Sequence, residues 1–252
     1  MGVLGFASDL EGVMRLRLAL MLALTALCLL ALPAAAHAWA NGPCGYNSFG
    51  THDWILQEAN HLAANCSAGW VNLKVALLHT DDPDSLFHDF YYHVYDTTGG
   101  TVYRGAPTKV ALWYGRALAA LKAGNKRAAS KDVGIMAHYY GDICCPLHTD
   151  QTGVEERMHF AYETDVDEIT DVPGEHRAWA RYDGYQAHSS VYGFTAATAA
   201  ASHKLYATLV KDYNAHGMSG AVLSITARSL SRAANGLADL IVMLKKGVKV
   251  TE

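Results

Sequence analysis

The sequence is poor in positive charge, which limits the partners that it can bind. Its 252 residues contain 20 Lys and Arg against 24 Asp and Glu, giving a formal net charge of −4. Binding to duplex DNA or to a strongly anionic membrane through bulk electrostatics needs a basic surface. We therefore expect no duplex nucleic acid partner, whereas an enzyme that holds phosphate through metal ions stays compatible with this charge.

Alternating runs of apolar and polar residues, which are typical of half-buried strands, are missing over any useful length. Apolar residues recur instead at helical spacing, and no linker or internal repeat divides the chain. The sequence therefore predicts an all-α single domain. The predicted helices are Thr51–Asn65, Ala68–His79, Pro107–Ala123, Lys126–Asp142, Val154–Ile169, Tyr192–Asn214 and Ser219–Lys246, with loops at 39–50, 80–84, 97–108 and 171–174.

The longest apolar run is too short for a retained membrane span and is typical of an export signal. A basic stretch at Arg15–Arg17 precedes the apolar segment Leu18–Leu32, and Ala36–Ala38 has the small residues of a cleavage site. We expect the mature protein to be secreted or periplasmic. The predicted organisation is a signal peptide over residues 1–38, with Met14 as an alternative start, and one mature domain over residues 39–252.

Cysteine is scarce, with five in the chain. The four that follow the predicted cleavage point are Cys44, Cys66, Cys144 and Cys145. An even number of cysteines in an exported protein is typical of disulfide bonds, so one or two are predicted. Their pairing stays open, although a bridge between the adjacent Cys144 and Cys145 is least favoured because it is strained.

Five side chains of metal-binding type follow one another in the middle of the chain. His138 and Asp142 are four residues apart, as are His159 and Glu163, so each pair lies on one face of a helix. His148 lies in the connection between them, and helix pairs of this kind build multi-metal sites in bundles. Imidazole and carboxylate ligands suit Zn²⁺, and a pattern without cysteine is typical of a catalytic rather than a structural zinc site.

Further residues extend this motif in order over the predicted mature chain. They are Trp39, Thr51-His52-Asp53-Trp54-Ile55, Asp81, His93-Val94-Tyr95-Asp96, His138-Tyr139-Tyr140-Gly141-Asp142-Ile143-Cys144-Cys145-Pro146-Leu147-His148 and His159-Phe160-Ala161-Tyr162-Glu163. In these residues the chain resembles the bacterial zinc-dependent phospholipase C family and, more distantly, the single-strand-specific zinc nucleases.

The resemblance implies a multi-helix bundle that encloses three Zn²⁺ ions in a cleft. The implied ligands of the first zinc are Asp81, His93 and His138, and Asp142 bridges this zinc to the second. The second zinc is held by His52 and by the terminal amino nitrogen and carbonyl oxygen of Trp39. The third is held by His148, His159 and Glu163. Asp81 is also the candidate catalytic residue, which orients the nucleophile or takes its proton. Asp82 and Asp84 are the alternatives for its position.

The function that the resemblance implies is hydrolysis of the glycerol–phosphate bond of phospholipids by a zinc-activated water. Such a substrate requires transient contact with a membrane surface, and no obligate protein partner is expected. Phe90, beside Tyr91 and Tyr92, is the candidate for an aromatic wall against a lipid head group. A zinc nuclease or nucleotidase on the same fold is the alternative, although the final ligand Glu163 is more similar to the phospholipases.

Overall fold

A computed structural model describes residue 39 and residues 48–66, 68–99, 104–150 and 156–249. The predicted signal peptide, its cleavage point and Cys44 lie outside these residues. The described part is helical and contains no strand, which confirms the predicted all-α class. None of its helices is both long enough and apolar enough to cross a lipid bilayer.

The helices are connected by short turns of other helical types. The described α-helices are α1 (Thr51–Ala64), α2 (Leu73–Leu77), α3 (Ala106–Lys122), α4 (Lys126–Cys144), α5 (Glu156–Thr170), α6 (Val191–His203), α7 (Tyr206–His216) and α8 (Gly220–Lys249). A π-helical turn at Pro83–Phe87 and 3₁₀ turns at Phe90–Tyr92, Pro146–Thr149 and Arg177–Trp179 lie between them.

Two helices differ most from their predicted extents. The segment predicted over Ala68–His79 becomes α-helical only at Leu73, because the Asn72 side chain caps the helix by accepting a hydrogen bond from the backbone N–H of Val75. The segment predicted over Tyr192–Asn214 breaks into α6 and α7 at a turn near Leu205. This turn contains neither Gly nor Pro, so the sequence gives no local signal for the break.

Helix α4 lies at the centre of the bundle. Its residues from Ala129 to Cys144 are buried, with the exception of Lys131, and α1, α2, α3, α6 and α8 pack around it. The helix begins where the Asn125 side chain accepts a hydrogen bond from the backbone N–H of Ala128 at 3.0 Å. It ends before Pro146, because a proline favours an extended conformation in the preceding residue.

The N-terminus of α1 is fixed by a side chain from another helix. The cap residue Gly50 has no side chain, and the Asp167 carboxylate on α5 accepts a hydrogen bond from the backbone N–H of Thr51 at 3.1 Å. The hydroxyl oxygens of Thr51 and Thr170 are 2.8 Å apart. A carboxylate at this end also complements the helix dipole. These contacts hold the first turn of α1 against α5.

Gly141 allows α4 to approach α1 closely. A Cβ atom at this position would lie 2.9 Å from Nδ1 of His52 and 3.3 Å from Cδ1 of Ile55. We expect Gly141→Ala to lower the free energy of unfolding by about 1–3 kcal/mol, because the added methyl group overpacks this contact. Urea unfolding of the purified protein measures the change.

Gly115, exposed on α3, supplies the matched control. A Cβ atom there would meet nothing within 4 Å. We expect Gly115→Ala to raise the free energy of unfolding by about 0.5–1 kcal/mol, because alanine favours a helix more than glycine does. Equal effects of the two substitutions would contradict the close approach at Gly141.

Candidate metal centre

Asp142, a completely buried carboxylate on α4, lies at the centre of the site. Three imidazole rings face it. Nε2 of His52 lies 3.3 Å from Oδ1, while Nδ1 of His93 and Nε2 of His138 lie 3.0 and 3.5 Å from Oδ2. Removing a carboxylate from water costs several kcal/mol unless opposite charge or hydrogen bonds compensate for it. The surrounding ring nitrogens, or a cation held between them, must therefore supply that compensation.

Acceptor groups outside this centre determine which nitrogen of each ring points inward. Nδ1 of His138 lies 2.7 Å from the carbonyl oxygen of Thr80, which only accepts, so Nδ1 donates and Nε2 presents its lone pair inward. Nε2 of His93 faces the Asp89 carboxylate at 3.5 Å, leaving Nδ1 inward. Metal-binding histidines have this arrangement. The two inward nitrogens are 3.1 Å apart, where lone pairs repel unless a proton or metal ion lies between them.

The carboxylate that orients His93 is itself held in place. The Tyr139 hydroxyl donates to Asp89 at 2.8 and 3.0 Å, and Nζ of Lys109 lies 2.5 Å from Oδ2 of Asp89. Burial opposes ionisation, but the contacts with His93, Lys109 and Tyr139 outweigh it and lower the pKa of Asp89. Asp89 is therefore a charged acceptor for the outer nitrogen of His93.

The charges around Asp142 favour positive charge at the centre. Burial disfavours an imidazolium at His93, but Asp142 outweighs this and raises the pKa of His93 to about 10. Burial and the neighbouring His52 lower the pKa of His138 to about 3, so that this imidazole is neutral. Burial also opposes ionisation of Asp142, yet the charge of His93 and the hydrogen bonds from His52 and His93 hold the pKa of Asp142 well below the usual range. An ionised carboxylate beside inward-facing imidazoles is a fitting donor set for a divalent cation.

A second carboxylate that faces both His93 and His138, besides that of Asp142, belongs to Asp84. Its Oδ1 lies 3.5 Å from Nδ1 of His93, and its Oδ2 lies 3.7 Å from Nε2 of His138. Asp81 belongs to none of the groups of three possible ligands among the described residues, although it lies close enough to His52 for its charge to act on that ring. The ligand role of Asp81 stays a prediction, and Asp84 is the alternative that the geometry favours.

A second group of ligands lies between the turn Pro146–Thr149 and α5. Nε2 of His148 and Nε2 of His159 are 3.0 Å apart and lie 3.0 and 2.8 Å from Oε1 of Glu163. Nδ1 of His148 donates to the carbonyl oxygen of His93 at 3.0 Å, which leaves Nε2 able to bind a metal ion. Ligand atoms around a tetrahedral zinc with bonds of 2.0–2.1 Å are about 3.3 Å apart. These three atoms are thus spaced to fit one zinc ion.

The structure gives the surroundings of the Trp39 and Phe90 side chains. The Trp39 indole is completely buried, and its Nε1 has no hydrogen-bond partner in the described part of the chain. The predicted binding through its main chain depends on cleavage among residues outside that part, so it stays a prediction. The Phe90 ring lies 5.7 Å from the His93 ring, between centroids, and is therefore beside the metal-ligand group. Its contact with substrate also stays a prediction.

The predicted disulfides are not formed by the cysteines that the structure describes. Cys66, Cys144 and Cys145 are free thiols. Cys144 and Cys145 are completely buried in the core at the end of α4, and Sγ of Cys66 contacts the Tyr182 hydroxyl at 2.7 Å. The prediction of one or two disulfides is therefore wrong for these three residues.

The sequence matches the family model described as zinc dependent phospholipase C over residues 51–213. This range covers more than half of the chain, and it includes both groups of histidine and carboxylate ligands. The chain therefore belongs to the zinc-dependent phospholipase C family, as its residues predicted. No curated protein matches it.

The fold is similar to that of two solved clostridial toxins. The alpha toxin from Clostridium absonum matches with a TM-score of 0.59 and 19% sequence identity, over 82% of this chain and 66% of the toxin. The alpha-toxin of Clostridium perfringens, from avian strain SWCP, gives 0.57 and 18%, over 81% of this chain and 66% of the toxin. The chain thus spans just under two thirds of each toxin, and at these identities the likeness shows the helical fold alone.

Asp142 is in contact with His52 on one side and with His93 and His138 on the other. We expect Asp142→Asn to release two zinc ions, because it removes a negative charge that both sides share. Glu163→Gln should release one, since its contacts are confined to the group with His148. Elemental analysis of zinc per chain after gel filtration measures this difference. A full zinc content in Asp142→Asn would show that the carboxylate is not shared.

Asp84→Asn and Asp81→Asn form a matched pair, because both substitutions remove one charge from the same short segment. We expect Asp84→Asn to weaken zinc binding more strongly, by about 10–100-fold, since the Asp84 carboxylate lies 3.5 Å from Nδ1 of His93 and 3.7 Å from Nε2 of His138. Competition with a chromogenic chelator measures both affinities. The reverse order would assign the ligand role to Asp81.

Proposed function

We propose that this chain is an exported zinc-dependent phosphodiester hydrolase that cleaves the glycerol–phosphate bond of phospholipids. The observation that carries the proposal is the convergence of inward-facing nitrogens from His52, His93 and His138 on the buried carboxylate of Asp142. This arrangement supports a multi-metal site among helices. Bound zinc ions lower the pKa of water toward about 7 and neutralise charge on phosphoryl oxygens.

The ligands are assigned from both the geometry and the family. The proposed set for three zinc ions is the main chain of Trp39 after cleavage at Ala38, His52, Asp84 in the position predicted for Asp81, His93, His138, Asp142, His148, His159 and Glu163. Asp81 remains the predicted proton acceptor. An amide nitrogen within a continuing chain is a poor ligand, so the role of Trp39 requires removal of residues 1–38.

The chain's own residues fix these ligands before substrate arrives. The Thr80 carbonyl orients His138, and Asp89 orients His93. Tyr139 and Lys109 in turn hold Asp89. Because the rings are restrained at both nitrogens, little reorganisation is needed when charge develops on the phosphate, which is the main source of electrostatic catalysis.

Apolar side chains next to the ligands support a lipid substrate. Leu86, two residues after Asp84, is 64% exposed, and Phe160, next to His159, is also 64% exposed. Tyr91, two residues before His93, is 42% exposed. If these side chains form one apolar patch beside the polar site, that patch would be typical of a surface that contacts membranes or partners.

The experiment that tests the proposal compares two substrates of the zinc-loaded mature protein. We expect diacylglycerol release from phosphatidylcholine, phosphatidylethanolamine or phosphatidylglycerol vesicles, loss of release in a chelator and in Asp142→Asn, and recovery with Zn²⁺ after chelation. Cleavage of single-stranded DNA without diacylglycerol release would support the nuclease alternative instead. Inactivity on both substrates, with zinc bound, would overturn the proposed hydrolase.

Leu86 and Leu112 give a matched test of membrane contact, because both leucines are exposed, by 64% and 50%. Leu86 is near the proposed ligand Asp84, whereas Leu112 lies on α3. We expect Leu86→Ser to reduce hydrolysis of vesicles several-fold and to leave hydrolysis of a monomeric short-chain phospholipid unchanged, because only vesicles require insertion of the side chain. Leu112→Ser should leave both rates unchanged. Equal rates for the two variants on vesicles would remove Leu86 from the contact surface.

A further inference from the structure

The segment that ends α4 contains a metal-binding motif that the zinc ligand pattern did not include. It reads Cys145-Pro146-Leu147-His148. A cysteine and a second ligand separated by two residues have the spacing of structural zinc sites. Pro146 favours an extended conformation at Cys145, which has φ −71° and ψ 125°.

The side chain of Cys145 lies beside two members of the second group of ligands, His148 and Glu163. Its Sγ, a ring nitrogen of His148 and a carboxylate oxygen of Glu163 all lie within 4.8 Å of one another. All three residues are at least 99% buried. Oε2 of Glu163 is buried too and has no hydrogen-bond partner in the described part of the chain. The group thus has a carboxylate oxygen without a hydrogen-bond partner in the described part of the chain and a buried thiol, both beside the His148 imidazole.

Backbone donors also face the sulfur atom. Burial raises the pKa of the Cys145 thiol well above its usual range, and the backbone N–H groups of Leu147 and His148, in the 3₁₀ turn that follows, oppose this rise. Hydrogen bonds from backbone N–H groups stabilise negative charge, so they favour a metal-bound thiolate over a thiol packed in an apolar core.

We propose that Cys145 is a protein ligand of the zinc ion held by His148, His159 and Glu163. The S–H bond breaks as the zinc–sulfur bond forms, and the proton leaves to solvent. The inference rests on the proposed function in one respect, namely that these other three residues bind zinc. If all four residues bound one zinc ion, the site would have no open position for water, which is typical of a structural zinc. Activation of water then belongs to the group around Asp142.

Cys144 is the matched control for Cys145. It is equally buried and adjacent in the chain, but it lies near Tyr140 and Arg232 and is not a member of any ligand group in the described part. Replacing either cysteine by serine changes one sulfur atom for oxygen in the core. The two substitutions therefore have similar packing effects and differ in their expected effect on the metal.

The experiment replaces zinc by Co²⁺ in the full mature chain. The background carries Cys44→Ser and Cys66→Ser, so that Cys144 and Cys145 are the two remaining thiols. The readouts are cobalt per chain and the intense near-ultraviolet thiolate-to-cobalt charge-transfer band. We expect this band in the background protein and in Cys144→Ser, and its loss in Cys145→Ser. A band that persists in Cys145→Ser, or cobalt bound without any such band, would overturn the inference and leave the proposed function intact.

A second measurement needs no substitution at Cys145, so it decides the question even if that variant fails to fold. X-ray absorption of the zinc protein distinguishes a sulfur neighbour at about 2.3 Å from nitrogen and oxygen neighbours at about 2.0–2.2 Å. Asp142→Asn should increase the fraction of zinc neighbours that are sulfur atoms, because the zinc ion that remains is the one beside Cys145. Zinc bound without a sulfur neighbour would exclude Cys145 as a ligand. Failure of the chain to bind zinc or cobalt would overturn the proposed function as well.

Discussion

The rest of the structure depends on the burial of one ionised carboxylate, that of Asp142, on the most buried helix of the bundle. An uncompensated charge at this depth would cost about 3–5 kcal/mol of stability. Compensation comes from His52 on α1 and from His93, which lies far from α4 in sequence. Because these rings must reach Asp142 together, a polar contact fixes how α1 and the segment before α3 pack on α4. The apolar faces of the helices alone would not specify that arrangement.

Features that depend on helical periodicity can be predicted from the sequence. The pairs His138 with Asp142 and His159 with Glu163 have the predicted proximity, because a spacing of four residues means contact on any helix. The all-α class follows from the same periodicity. The extent of α2 was not predicted, because the apolar pattern continues across Asn72, whose capping side chain was the local signal for the boundary.

The residues that sequence reasoning missed lie in turns, where no fixed period applies. The spacing to His93 favours Asp81 as a ligand, which stays a prediction, while the π-helical turn at Pro83–Phe87 brings Asp84, one of the two alternatives, to 3.5 Å from Nδ1 of His93. Pro83 was a usable signal, since it begins this turn. The roles of Thr80 and Asp89 could not be predicted, because their contacts with His138 and His93 depend on how distant segments meet.

His93 connects the two ligand groups through different parts of the same residue. Its ring faces Asp142, while its carbonyl oxygen accepts a hydrogen bond from Nδ1 of His148. The backbone N–H of Tyr95 also donates to the carbonyl oxygen of His148 at 2.9 Å, which continues the contact between the two segments. A shift of His93 toward a metal ion at Asp142 would therefore move the acceptor that orients His148. The two groups are consequently one coupled unit, in which ligand geometry at the first restrains ligand geometry at the second.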